Sequence, residues 1–115
     1  VKGLNKAYLI GHAGSDPEMR TSASGRRNVQ MLLATPHTRK VGTEWVDTPD
    51  WHQLTFYDDN ADYVTANCRK GNVIAVECAL RPHSWTDKDS VVHTEVVLEV
   101  ERVLWINSKR QAEAG

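Results

Sequence analysis

The sequence predicts an all-β domain: a five-stranded antiparallel barrel with one helix between the third and fourth strands. Three observations carry this. Short runs rich in β-branched and aromatic residues recur along the chain, divided by clusters of Gly, Pro, Asn, Asp and Ser. One stretch, between Asp58 and Gly71, carries a helix start and a helix stop. The spacers leave no room for the crossovers that parallel strands need, so the strands pair mainly antiparallel. A chain of 115 residues that is 40% hydrophobic is one domain with enough apolar material for a core.

The elements follow in order. Residues 4–11 form the first strand, closed by Gly14-Ser15-Asp16-Pro17. After a turn at Ser24-Gly25, the second strand covers residues 28–35 and stops at Pro36. A polar, flexible segment spans residues 37–50, with Gly42 and Pro49 inside it. The third strand is residues 51–57. Asp58 is placed to cap a helix from about Asp59, and Arg69-Lys70-Gly71 supplies a cationic last turn and a glycine stop. The fourth strand is residues 73–80. A long hairpin with Asp87-Lys88-Asp89-Ser90 at its tip leads to the fifth, residues 95–105. Three strands, a helix and two strands are the order of the OB-fold, a Greek-key barrel that binds oligonucleotides on one face. The domain is expected over residues 1–106, with 107–115 as a flexible tail.

Charge and cysteine usage narrow the function. The net charge of −1 argues against a strongly basic DNA-coating surface, yet a few local cations and aromatic faces suffice to hold a single strand. Cys68 and Cys78 are not a CxxC pair, and no export signal opens the sequence, so a reducing, cytoplasmic (nucleoid-associated) setting is expected. Both cysteines read as small buried hydrophobes. His12, His37, His52, His83 and His93 show no ligand spacing such as HExxH. No catalysis, metal or cofactor is expected.

The third strand is the most informative stretch. Alternation puts Trp51, Gln53, Thr55 and Tyr57 on one face and His52, Leu54 and Phe56 on the core side. Two large aromatics among polar neighbours make either a stacking platform for bases or the cover of a secondary apolar cluster; spacing alone leaves both open. Trp85 lies near a polar hairpin tip, where there is little core to join. Trp45 is similar, flanked by Arg39, Lys40 and Glu44. Arg39, Lys40, Lys70, Arg81 and Lys88 are the candidate phosphate partners.

Several short motifs, in order and in spacing, resemble one family. They are Asn5-Lys6-Ala7-Tyr8-Leu9-Ile10-Gly11, Asp16-Pro17-Glu18-Met19-Arg20, Leu33-Ala34-Thr35, Trp51-His52, Arg69-Lys70-Gly71-Asn72-Val73, Trp85-Thr86-Asp87 and Thr94-Glu95-Val96-Val97. Over residues 4–106 the chain is similar to the bacterial and mitochondrial single-stranded DNA-binding proteins. The resemblance implies sequence-independent binding and protection of single-stranded DNA in replication, recombination and repair. It also implies a homotetramer, or a dimer of double-domain chains. It places base stacking at Trp51, Tyr57 (where Phe is usual) and Trp85, a subunit contact at His52, and an intersubunit ion pair between Lys6 and Glu77. A replication-restart-type or RNA-binding OB accessory protein is the alternative reading.

The chain departs from the family pattern at several positions. Arg39 stands where a stacking Trp is usual, and Trp45, later in the same loop, is its candidate substitute. Asp58-Asp59 replaces a basic spot, His83-Ser84 stands where Arg and Lys are frequent, and Cys78 replaces a glycine. The family's flexible linker with an acidic tip, which docks replication and repair proteins, is expected either to have been removed after Ala112-Glu113-Ala114-Gly115 or to be lacking in a divergent, tailless variant.

Overall fold

A computed structural model describes residues 1–107. In chain order the elements are β1 (Ala7–Ala13), β2 (Arg20–Thr21), β3 (Arg27–Val41), β4 (Glu44–Tyr57), α1 (Asp58–Asn67), β5 (Val73–Thr86) and β6 (Val92–Asn107). The sheet runs β1-β5-β6-β4-β3, and β1 returns to pair with β3, closing a five-stranded ring. The two-residue β2 is appended to β3. Every pairing is antiparallel except β4 with β6, which run parallel at Leu54↔Leu98 and Thr55↔Glu99. This is the OB-fold barrel that the element order predicts.

Alternation fills the barrel. Val29, Met31 and Leu33 of β3, Leu54 and Phe56 of β4, and Ile74, Val76 and Cys78 of β5 are all buried. On β6 the core-side residues are Leu98, Val100, Val103 and Ile106, which step by two and then by three. Register shifts opposite Ala75/Val76 and Glu77/Cys78 leave Leu104 and Glu101 as extra residues. Such bulges bend a strand and increase its twist, which a small barrel needs in order to close. Burial pushes the Cys78 thiol up to about 12, so it stays protonated as a small hydrophobe.

Helix α1 lies against β3, β4 and β6 and buries Ala61 and Val64, with Cys68 one turn on, also buried. Arg27 binds Asp62 through two bonds of 3.0 Å each, and Asn60 Nδ2 donates to the carbonyls of Val100 and Glu101. These contacts tie the helix to β3 and β6.

Three local expectations are corrected. Residues 37–50 are not a flexible segment: β3 and β4 continue in register to Val41↔Glu44 as a two-stranded arm. Pro36 does not stop the strand, because it faces Pro49. At a non-hydrogen-bonded pair of an antiparallel ladder the N–H groups point away from the partner, so facing prolines there forfeit no ladder bond. The arm turns at Gly42, whose φ of +65° suits the first place of a two-residue II′-type hairpin turn. Secondly, Asp58 does not cap α1. Tyr57 holds the N-cap place with no side-chain cap bond, and Asp58 sits at φ +52° with its carboxylate turned to Arg26. Thirdly, the cations lie past the last helical turn, where Arg69 Nη1 still donates to the Thr65 and Cys68 carbonyls. Asn107 ends β6, and the remainder of the expected tail lies outside the described residues.

Candidate nucleic-acid interface

Register places the sequence-predicted aromatics on one outward face. Ala34/Trp51, Leu32/Gln53, Gln30/Thr55 and Asn28/Tyr57 are partners across β3 and β4. The same face continues along the arm through Pro36/Pro49 and Thr38/Asp47 to Lys40/Trp45. Across β5 and β6 the outward partners are Arg81/Val97, His83/Glu95 and Trp85/His93. Where the two hairpins meet, an open groove of about 300 Å³ has Gln30, Gln53, Tyr57, His83 and Glu95 among its walls.

Each aromatic is held differently. Trp51 is 56% exposed and its ring crosses Gly14 so closely that a Cβ there would stand 2.7 Å from Cζ3. Gly14 leaves the indole room for this close approach. Tyr57 is half-buried, and the Arg26 guanidinium lies 3.8 Å from its ring centroid, a cation–π distance. Arg26 Nε also donates to Asp58 Oδ2 at 3.3 Å. Trp85, 43% exposed, stacks with His83 (centroids 5.6 Å apart, planes 28° apart) and with His93 (5.2 Å, 19°). Asp87 Oδ2 holds His93 Nε2 at 2.7 Å. That bond is the chief cause that keeps the Asp87 carboxyl below the usual range. Trp45 is exposed at the arm tip, six residues and so roughly 20 Å along the strand from Trp51.

The expected phosphate partners are not all together. Lys40 shares the aromatic face beside Trp45, but Arg39 points to the reverse of the arm with Val46. Arg81 is on the aromatic face and its Nε donates to Glu99 Oε2 at 3.0 Å. Lys88 is exposed at the β5–β6 tip. Lys70 sits in the turn after α1, where Asp16 Oδ1 accepts its backbone N–H at 2.8 Å.

The family model of the single-strand binding protein family matches residues 4–106. The chain belongs to this family. It is 36% identical over 101 residues to single-stranded DNA-binding protein 1 of Chlorobaculum tepidum, covering 84% of this chain and 62% of that protein. It is 39% identical over 92 residues to single-stranded DNA-binding protein 1 of Xylella fastidiosa, covering 77% and 67%. With the single-stranded DNA-binding protein of Rickettsia conorii it shares 34% over 101 residues, covering 84% and 66%. The chain thus spans about two thirds or less of the length of these relatives. Among solved structures it is similar to a Plasmodium falciparum SSB in complex with ssDNA, with a TM-score of 0.74 and 28% identity over 86% of this chain and 88% of that one.

In this single-strand binding protein family member, the residues expected at a subunit contact each meet a partner within their own chain. Lys6 Nζ donates to Glu101 Oε1 of its own chain at 2.7 Å, one of the extra residues at the β6 bulges. That bond raises the Lys6 ammonium and lowers the Glu101 carboxyl. Glu77 instead accepts the Tyr8 hydroxyl at 2.8 Å, with Arg102 3.9 Å away. His52 is half-buried and its Nε2 lies 2.9 Å from Thr35 Oγ1. Sequence reasoning missed Arg26 and His93. Arg26 follows the Ser24-Gly25 turn and its relation to Tyr57 is visible only once β3 pairs with β4. His93 needed the β5–β6 register.

Proposed function

We propose that this family member coats single-stranded DNA without sequence preference during replication, recombination and repair, and performs no chemistry on it. The observation that carries this is the outward face on which Trp45, Trp51, Tyr57 and Trp85 lie with Gln30, Gln53 and Lys40 between them. Aromatic faces accept any base, and neighbouring amides and one cation suit a flexible polyanion. The similarity to an SSB described in complex with ssDNA supports the same reading, and membership of the family favours it over the RNA-binding and replication-restart alternatives. The test is quenching of Trp fluorescence by poly-dT, with poly-U as competitor. Strong quenching that poly-U reverses poorly is expected; equal or better binding of poly-U would overturn the reading.

The assembly we propose is a homotetramer. β1 pairs with β5 from Ala7 to His12 but with β3 only at His12 and Ala13, which leaves a stretch of open edge. Beside it Tyr8 and Ile10 are exposed, an apolar surface that a second copy would cover. Light scattering at micromolar concentration should give four times the chain mass, and a monomer would refute it.

A further inference from the structure

The His83–Trp85 pair on β5 has a property that neither residue has alone. His83 is an exposed imidazole stacked on an exposed indole, at the wall of the groove between the two hairpins. It makes no side-chain hydrogen bond among the described residues. The permanent cations nearby are already engaged: Arg81 with Glu99 at 3.0 Å and Arg26 with Asp58 at 3.3 Å. We propose that His83 is a direct contact to the DNA strand whose affinity contribution depends on its proton: neutral, it extends the Trp85 stacking surface; protonated, it also holds a phosphate.

The groups that face His83 set the sign. From β6, Glu95 stands directly across the ladder. From β4 come Tyr57 and the neutral Gln53 and Thr55, and from β3 the neutral Gln30. On β5 itself the neighbours are Trp85 and the Arg81–Glu99 pair. Beyond Trp85, His93 is occupied by Asp87. With His83 neutral, Glu95 is, among the described residues, the charge without an ion-pair partner that lines the groove at this point, and it repels phosphate. A proton on His83 removes that repulsion or goes further and attracts the strand. Both effects strengthen binding when His83 takes up a proton. Bound phosphate in turn favours the imidazolium, so DNA binding takes up a proton.

The proposal rests on the single-strand-binding reading, and the experiment separates the two. Labelled dT oligonucleotides, whose bases carry no group that protonates in this range, are titrated at pH 8 and pH 5.5 at fixed salt. The parent protein should bind about tenfold more tightly at pH 5.5, the weight of one charge-assisted contact. His83→Gln should bind at the weak level at both pH values. His83→Lys should bind at the tight level at both. Equal parent affinities at the two pH values, or a full pH effect in His83→Gln, overturn the proposal while leaving strand binding intact. No binding by any variant at either pH overturns both.

Discussion

Replacing Gly14 by Ala tests the aromatic face without touching an aromatic. The new Cβ would stand 2.7 Å from Trp51 Cζ3, whereas carbon atoms pack at about 3.5–4.0 Å. One partner must therefore move by roughly 1 Å. The Gly14 backbone is fixed by its N–H bond to the Leu32 carbonyl at 2.8 Å, so the half-exposed indole yields. Stacking of one base is worth about 1–3 kcal/mol, which is the expected loss of poly-dT affinity in Trp51→Ala. Tilting the ring off the barrel should forfeit roughly half of that in Gly14→Ala. The decisive assay is a double-mutant cycle, read by anisotropy of a labelled dT oligonucleotide with thermal melts as a folding control. If Gly14 acts through the indole, Gly14→Ala costs nothing further once Trp51 is Ala. Additive losses would show that Gly14 acts elsewhere, and no loss in Trp51→Ala would remove the platform itself.

Other perturbations separate neighbouring side chains. Lys40→Ala should weaken poly-dT binding and flatten the dependence of log affinity on log salt by about 0.7, whereas Arg39→Ala on the reverse of the arm should leave the slope unchanged; equal slopes for both would refute the assignment of faces. Trp45→Ala should weaken binding to oligonucleotides long enough to reach the arm tip but not to short ones, and a length-independent effect would contradict its distance from Trp51. The folded-state carboxyl of Asp87 is depressed, so its contribution to hairpin stability is present above its ordinary value of 3.8 and is lost as pH falls through the lower folded value. Below that range parent and Asp87→Asn should melt alike, and above it the parent should melt higher; parallel melting curves at every pH would refute this.

The barrel was legible because its signals are local. Alternation in β4 named Leu54 and Phe56 as core and Trp51 and Tyr57 as outward residues, and Gly, Pro and Asp clusters marked most turns. What misled was also local. Polar composition and two prolines made residues 37–50 read as a loop, because the cost of proline in a strand depends on the partner it faces, which a single sequence does not state. On β6 the bulges at Glu101 and Leu104 break the two-residue period, so its core set was unreadable by alternation. The site was half legible for the same reason. Each aromatic could be singled out alone, but Arg26 over Tyr57 and His93 against Trp85 exist only through register.

The charge pattern of the face has a consequence for salt. A single-stranded site loses affinity with salt at a slope of about −0.7 per phosphate neutralised, and stacking contributes nothing to that slope. Here Arg81 and Arg26 each hold a carboxylate, and Asp59 stands in an open groove of about 370 Å³ beside Tyr57, Arg26 and Arg81. Each pair must release its carboxylate before its cation can take a phosphate, so few counterions leave when the strand binds. Binding should therefore be modest at low salt and fall slowly as salt rises. Asp59→Lys removes a repulsion and adds a cation in the same groove. It should raise low-salt affinity and steepen the slope by about 0.7. A salt titration of the two proteins decides the matter: identical slopes would mean that the strand does not pass this groove.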